Sequence, residues 1–302
     1  MNQLRGLINR FSVPLFFLLA YGWSWGCWLF VPRILEVYEE ELLGAPTILT
    51  VSAIPIYIRI GYAIAFLTGT FGPAISAIIL TAAIGGKAAL REFFGRVVKW
   101  RVGIQYYLAA FLIPPVMMLI QFGIFIILGG KPQTNFANFS ILAMLGIFVN
   151  NFFRSGGQEE LGFRGFAQPK LQEKFSPATT SLIIGVLWFG WHLPLYLWMP
   201  PVQQIEQTLM FWLLVIALCF TYTWIYNRTQ SILMPMLLHA TFNTVGMFLA
   251  TNFTHPYPSG WLIAWLSAIV PYFILGVRLV WRDGRKNKTI PSSLRQIGYE
   301  SN

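Results

Sequence analysis

Charged residues are scarce in this chain. Only 11% of its 302 residues are Asp, Glu, Lys or Arg, whereas soluble domains carry about 25%. Hydrophobic residues make up 56% of the chain, and the mean hydropathy is +0.60. This composition excludes an ordinary soluble domain. It predicts an all-α, polytopic membrane protein whose helices form a single bundle.

Cysteines are also rare, and several familiar catalytic motifs are absent. The two cysteines, Cys27 and Cys219, both lie in apolar runs, which favours packed thiols over a disulfide. The chain contains no G-x-S-x-G and no H-E-x-x-H, and neither cysteine is near a histidine in sequence. Serine and cysteine nucleophiles are therefore disfavoured, and the short-spaced zinc-protease helix is absent.

The net charge of +10 comes from basic residues that are scattered between apolar runs. This distribution matches the positive-inside bias of membrane proteins, so we reject a nucleic-acid partner. If the N-terminus lies on the cytoplasmic side, 18 of the 21 Lys and Arg residues fall in cytoplasmic segments. The three that fall in outer segments are Arg33, Arg59 and Lys131. The asymmetry predicts eight spans with both termini in the cytoplasm, in a multi-pass protein of the bacterial cell membrane.

The apolar runs set the expected boundaries of these spans. They cover residues 13–31, 62–84, 104–128, a stretch from 139 onward, 178–199, 209–226, 232–250 and 261–281. We expect 32–60 to be an external loop with a re-entrant or interfacial piece, and 85–103 to be an amphipathic helix on the inner membrane surface. Short turns are expected at 129–138 and 227–231. Residues 1–281 would form the bundle and 282–302 a loose basic cytoplasmic tail.

Three charges stand close together in this apolar sequence, at Glu159, Glu160 and Arg164. One charged side chain at the bilayer centre costs roughly 2.5–3.5 kcal/mol on insertion scales, so such a cluster suggests a polar site inside the bundle. At helical spacing Glu160 and Arg164 are four apart and can pair. Glu159 points about 100° away from Glu160 and stays available for another role. A cytoplasmic loop with ordinary salt bridges is the alternative interpretation.

Two of the three histidines lie within predicted spans. His192 belongs to the fifth span, and His239 belongs to the seventh, four residues before Asn243 on the same helix face. Buried histidines of this kind face polar interiors, although helix–helix hydrogen bonding is an alternative role. The third, His255, lies in an expected outer loop and is interpreted as a bystander.

Together these side chains suit a hydrolytic centre. A carboxylate can take a proton from water, an imidazole can share that water, and His and Asn donors can stabilise an oxyanion. Glu159, His192 and His239 are also candidate ligands of a divalent metal such as zinc, with water as a fourth ligand.

These residues can meet only if they lie at similar depths. His192 follows the start of its span by fourteen residues, roughly 21 Å, and His239 lies about 10 Å deep. A helix ending at residue 155 would leave Glu159 in cytoplasmic water. We therefore expect the fourth span to continue through Gly156 and Gly157 to Gln168, where Pro169 would end it. This would place the site in the inner half of the bilayer.

Three motifs within 155–245 resemble the CPBP family of intramembrane proteases, which includes CAAX prenyl endopeptidases and bacteriocin-processing or Abi-like immunity proteins. The family pattern is Glu-Glu-x-x-x-Arg, aromatic-x-x-x-His and His-x-x-x-Asn. Here the motifs run from Glu159 to Arg164, from Trp188 to His192 and from His239 to Asn243. Trp188 stands where the family usually has Phe, which we interpret as a conservative change. Two further stretches, Gly72-Pro73 and Trp100-Arg101-Val102, also look like the family.

The resemblance implies a role for each motif residue. Glu159 would be the general base that activates water together with His192, and His239 and Asn243 would bind the oxyanion. Glu160 and Arg164 would maintain the shape and charge of the site. The implied function is an intramembrane endopeptidase that cuts a membrane-associated, CAAX-type substrate near the cytoplasmic leaflet, by a metal-dependent or a metal-free glutamate mechanism.

Two other functions remain open from sequence. One is a non-catalytic immunity or regulatory protein with the same fold. The other is a proton-coupled transporter, which we disfavour because the chain shows no inverted repeats and no paired broken helices.

Overall fold

The computed structural model describes residues 2–42, 56–129, 140–196, 201–252 and 260–286, and these are almost entirely helical. The all-α class predicted from composition is confirmed. In chain order, the helices are α1 (Asn2–Arg10), α2 (Ser12–Leu42), α3 (Ile56–Gly69), α4 (Gly72–Val97), α5 (Ile104–Ile127), the composite helix α6 (141–172), α7 (Pro177–Tyr196), α8 (Pro201–Thr229), α9 (Leu233–Asn252) and α10 (Gly260–Lys286).

The composite helix α6 alternates between α and π geometry. Its five pieces are the α-helices Ile141–Asn150, Gly157–Gly162 and Gln168–Gln172, with π-helical stretches Asn151–Gly156 and Phe163–Ala167 between them. Side chains from other helices surround its centre, because the piece Gly157–Gly162 packs against α4 and the first π-helical stretch packs against α9. The acidic pair lies on that central piece and is therefore inside the bundle.

The remaining helices enclose α6. Helix α8 packs against α7 on one side and α10 on the other, α5 packs against α9 and α10, and α2 packs against α3 and α4. The core where α2, α6 and α7 meet is rich in aromatic rings, with Phe16, Phe163, Trp188 and Trp191 all nearly inaccessible. The polar site described below is therefore surrounded by apolar packing.

Five of the described helices are long and apolar enough to cross a membrane. They contain the stretches Gly72–Val97, Ile104–Ile127, Pro177–Leu195, Thr208–Thr229 and Leu262–Asp283. The chain is therefore an integral, multi-pass membrane protein. The total of eight spans and the cytoplasmic termini stay predictions.

Two expectations about the N-terminal half are wrong. Residues 32–60 were expected to be a loop, yet α2 continues to Leu42 and α3 begins at Ile56, while 43–55 lie outside the described residues. The cluster of Glu and Leu here favours helix by propensity even though it is charged. The predicted span 62–84 is in fact two helices, because the chain breaks at Thr70-Phe71 and α4 begins at Gly72-Pro73. Proline suits a first helical turn, where its missing N–H has no intrahelical partner.

The amphipathic stretch expected at 85–103 is continuous with the span before it. Helix α4 extends to Val97 and bends at Gly86, whose φ of 63° is readily adopted only by glycine. Beyond the bend, Phe93 is buried and Phe94 is 44% exposed. This part of α4 therefore has distinct apolar and exposed faces.

The expected end of the fourth span is also wrong. The helix continues through Gly156 and Gly157, as predicted, but it does not stop at Pro169 and reaches Gln172. Pro169 lies in the first turn of the last α-helical piece, directly after a π-helical stretch. A proline is tolerated there because its backbone nitrogen is not required as a donor.

Several other boundaries shift by a few residues. Helix α8 begins at Pro201 and ends at Thr229, so the predicted turn at 227–231 shrinks to the residues around Gln230, whose φ is 49°. Helix α10 includes Arg282 and continues to Lys286. His255, most of the expected turn at 129–138 and the chain after 286 lie outside the described residues.

Candidate active site

The acidic pair is buried at the centre of α6. Glu159 is 5% exposed, and Glu160 is completely inaccessible. The glycines on either side allow this, because a Cβ on Gly156 would meet the α9 backbone and one on Gly162 would meet Pro73. Close backbone approach therefore brings α9 and α4 against the two carboxylates.

Glu160 is held between two cationic or ionisable groups. Its Oε2 lies 3.3 Å from Arg164 Nε, which confirms the predicted pairing, and its Oε1 lies 2.9 Å from His239 Nδ1. The Arg164 Nε–H is not aimed at the carboxylate, so that contact is an ion pair without a well-formed hydrogen bond. Both oxygens of Glu160 are thus committed to protein groups.

Arg164 is buried and makes several contacts besides Glu160. Its guanidinium lies 5.2 Å from the ring centre of Trp188 and 4.8 Å from that of Tyr222, within cation–π range. One terminal nitrogen lies 3.4 Å from the Sγ of Cys219, a free thiol. The positive charge of Arg164 is therefore fixed in the protein interior and does not line the cavity described below.

Trp188 connects the carboxylate to the first histidine. Its indole Nε1–H donates a hydrogen bond to Glu159 Oε2 at 2.7 Å, and its carbonyl oxygen accepts one from His192 Nδ1 at 2.9 Å. A carbonyl can only accept, so Nδ1 of His192 carries its proton and Nε2 is left as an acceptor. The Trp188 ring also packs edge-on against His239, with 5.4 Å between centroids.

One cavity of about 270 Å³ brings the predicted catalytic side chains together. Glu159 from α6, His192 from α7, and His239 and Asn243 from α9 all line it. Glu160 and Arg164 lie behind this wall. Apolar and aromatic residues make up most of the remaining lining: Trp28, Phe66, Trp188, Trp191, Leu195, Phe211, Val215, Leu218 and Phe242. The wall thus combines a few polar groups with a large apolar surface.

The comparisons with known proteins agree with this arrangement. Residues 140–245 match the family model for type II CAAX prenyl endopeptidases, Rce1-like. The chain is 27% identical over 224 residues to CAAX prenyl protease 2 of Methanococcus maripaludis, which covers 70% of this chain and 82% of that protein. Both similarities support the resemblance to the CPBP family and, in general terms, an intramembrane endopeptidase activity.

The candidate metal ligands Glu159, His192 and His239 are held by hydrogen bonds within the protein. Within the described residues, no group of three or more His, Cys, Asp or Glu side chains is arranged to hold a metal ion. His192 Nδ1 and His239 Nδ1 are both engaged, and Glu159 accepts a hydrogen bond from Trp188. Bonds at Nδ1 leave Nε2 of each histidine as the nitrogen that could bind a metal or a water, so the metal-dependent and metal-free mechanisms both stay predictions. The proposed steps use only the protein's own residues and water.

Three features of this site were not predicted from sequence. The Glu160–His239 contact joins residues 79 apart, and the Glu159–Trp188 contact joins residues 29 apart, so neither follows from local spacing. The presence of Arg154 in the cavity was also missed. Arg154 precedes Glu159 by five residues, a spacing that an ideal α-helix would place on a different face.

Proposed function

We propose that the protein is an intramembrane endopeptidase in which Glu159 and His192 activate water to hydrolyse a peptide bond of a membrane-associated substrate. The observation that supports this most directly is the cavity shared by Glu159, His192, His239 and Asn243, which come from three different helices. A base and potential oxyanion donors on one small cavity are what peptide hydrolysis by water requires.

The separate environments of the two carboxylates support separate roles. Glu160 contacts Arg164 and His239 and is fully inaccessible, so it acts in positioning. Glu159 lines the cavity and is the carboxylate that can accept a proton from water. His192 supports the same water through Nε2, because its Nδ1–H is used by the Trp188 carbonyl.

The oxyanion would form on the oxygen of the attacked carbonyl group, on the side opposite the water held by Glu159 and His192. The bond from Nδ1 to Glu160 fixes the ring of His239 and leaves Nε2 as its other nitrogen. When His239 is the imidazolium ion, its Nδ1–H donates to Glu160 and its Nε2–H can donate to the developing oxygen anion. The Asn243 amide N–H would be the second donor, and such an interaction is worth roughly 10²–10³-fold in rate per donor.

The protons balance over the reaction. Glu159 takes one proton from water as the hydroxyl oxygen bonds to the carbonyl carbon. When the tetrahedral intermediate collapses, the C–N bond breaks and Glu159 returns that proton to the leaving amine. The products are a peptide with a new carboxyl terminus and a released peptide with a new amine.

The substrate class is the finer part of the proposal. CAAX prenyl protease 2, the relative from Methanococcus maripaludis, has a name that points to a prenylated C-terminal motif. The aromatic lining of the cavity here, including Trp28, Phe66 and Phe211, is compatible with a hydrocarbon chain near the cleaved bond. We extend this class to the present chain, with cleavage near the cytoplasmic leaflet.

Cleavage of lipid-anchored peptides by the purified protein in detergent tests this function. We expect Glu159→Gln, His192→Ala and His239→Ala each to lower kcat/KM by about 10²–10⁴-fold, the usual contribution of a general acid or base. Glu173→Gln is a matched control, because that carboxylate is half exposed and forms a surface ion pair with Lys170 at 3.0 Å.

If all three site variants cleave like the wild type, the enzymatic assignment is wrong. The non-catalytic immunity or regulatory role would then be the better interpretation, since such a role would survive these substitutions.

A further inference from the structure

A second basic side chain shares the cavity with Glu159. Arg154 lines the cavity, and its Nε is buried without a hydrogen-bond partner. Within the part of the chain that the structure describes, Arg154 has no ion pair with any acidic side chain. Arg164 differs, since Glu160, Cys219 and two aromatic rings surround it. Arg154 therefore carries the uncommitted positive charge of the site.

The first π-helical stretch explains why Arg154 reaches this cavity. Residues five apart in an α-helix point about 140° away from each other, because each residue turns the helix by about 100°. The stretch Asn151–Gly156 is π-helical, and π geometry bonds residues i and i+5. This wider turn brings the side chain of Arg154 around toward the face that carries Glu159, so both contribute to one wall.

A buried guanidinium nitrogen without a hydrogen-bond partner costs free energy. Ionisable residues in the interior of membrane proteins mark functional sites by default. The planar guanidinium binds carboxylates through two parallel hydrogen bonds. The cavity already holds the group that would attack a peptide bond, so a carboxylate on the substrate is the partner that fits.

We propose that Arg154 determines substrate specificity by binding the free C-terminal carboxylate of the peptide whose bond Glu159 attacks. This inference rests on the proposed endopeptidase function. A terminal carboxylate is preferred over an acidic side chain because the proposed substrate carries its CAAX-type motif at the C-terminus. Arg154 and Glu159 line the same cavity, so a carboxylate bound there lies close to the attacked bond.

Arg154 and Glu159 are close neighbours on α6, five residues apart, and both line one cavity. A substrate carboxylate bound by Arg154 would therefore lie within a few residues of the bond that Glu159 attacks. The carboxylate at Arg154 would thus fix which bond lies against Glu159.

Two lipid-anchored peptides test the proposal, one ending in a free carboxylate and one ending in a carboxamide. We expect the wild type to prefer the acid by about 10–100-fold in kcat/KM, mostly through KM, as is typical for a hydrogen bond to a charged group. Arg154→Gln should lose this preference, so its kcat/KM for both peptides should equal that of the wild type for the amide. Arg154→Lys should retain part of it, since a lysine offers a point charge without the planar fork.

Arg91→Gln is the matched control, because it removes the same charge from an exposed position on α4. It should keep the full preference for the acid. A third peptide, a carboxamide with aspartate at its last position, separates a terminal carboxylate from a side-chain one. If the aspartate peptide shows the same Arg154-dependent gain in kcat/KM as the peptide with the free terminus, the assignment to the terminal carboxylate is wrong.

A binding measurement separates this proposal from the endopeptidase function. Fluorescence anisotropy of the same labelled peptides is measured on the Glu159→Gln protein with and without Arg154→Gln. Tighter binding of the acid that depends on Arg154 supports the inference, even if the wild type cleaves neither peptide and the endopeptidase function fails. Equal binding of acid and amide, or a preference that survives Arg154→Gln, overturns it.

Discussion

The indole of Trp188 shows how much one side chain adds to the site. Its N–H donates to Glu159 at 2.7 Å, its carbonyl fixes His192, and its ring packs between His239 and the Arg164 guanidinium. The sequence motif predicts an aromatic residue here, and phenylalanine would supply the ring contacts. Phenylalanine cannot donate to the carboxylate, so the tryptophan is more than a conservative replacement.

Replacing Trp188 by phenylalanine should therefore lower activity while preserving the fold. Losing one hydrogen bond to a charged group costs about 1.5–3 kcal/mol, so we expect kcat to fall about 10–100-fold with little change in KM. Kinetics on a lipid-anchored peptide give the result. Trp23→Phe serves as the control, because that indole donates to the Thr68 carbonyl on an exposed surface. An unchanged kcat in Trp188→Phe would mean that the bond to Glu159 has no catalytic role.

The buried pair of Glu160 and Arg164 should matter for stability beyond catalysis. Removing one partner of a buried ion pair leaves an uncompensated charge, which costs about 3–5 kcal/mol. We expect Glu160→Gln to lower the melting temperature in detergent far more than Glu173→Gln, whose exposed pair with Lys170 is worth at most about 1 kcal/mol. Equal melting temperatures for the two variants would contradict this view of Glu160.

At the scale of the helix, the position of α6 depends on its glycines and on its two π-helical stretches. The sequence predicted that the helix continues through Gly156 and Gly157, since the candidate catalytic residues could not otherwise meet. It could not predict the two π-helical stretches, because they depend on how α4 and α9 pack against the segment and not on local propensity. The same packing explains why Pro169 fails to end the helix and why Arg154 faces the cavity.

Gly162 should be sensitive to substitution because α4 packs directly against it. A Cβ there would lie 2.5 Å from Pro73 Cβ and 2.8 Å from the Pro73 carbonyl group, so α4 and α6 would have to separate. We expect Gly162→Ala to destabilise the protein by about 1–3 kcal/mol, as overpacking does. Thermal unfolding in detergent measures this.

Gly146→Ala on the same composite helix is the control. No atom lies within 4 Å of a Cβ built at Gly146, so alanine should be neutral or stabilising, by up to about 1 kcal/mol from helix propensity. If the Gly162→Ala and Gly146→Ala proteins have the same melting temperature, α4 and α6 are not in close contact at this point.

For the whole molecule, sequence predicted the class of architecture and the residues that meet. Hydropathy gave an all-helical membrane protein, and the three motifs named Glu159, His192, His239 and Asn243, which share a cavity. Two predictions from sequence were wrong. The charged segment after the first apolar run was interpreted as a loop, although α2 extends to Leu42, and one apolar run was interpreted as one span, although the chain breaks between α3 and α4. Both errors arise because hydropathy reports burial in lipid and carries no information on helix propensity or kinks.

The orientation of the bundle is predicted from charge alone and can be tested on the whole chain. The placement of 18 of 21 basic residues on one side predicts that both termini are cytoplasmic. We expect a C-terminal fusion to green fluorescent protein to fluoresce in a bacterial host and a C-terminal fusion to alkaline phosphatase to be inactive, since that enzyme folds only outside. A phosphatase fused after residue 131 should be active, because that position falls in a predicted outer segment. An active phosphatase at the C-terminus would imply an odd number of spans or an inverted bundle, and it would move the cavity of Glu159 away from the cytoplasmic leaflet on which the proposed substrate is anchored.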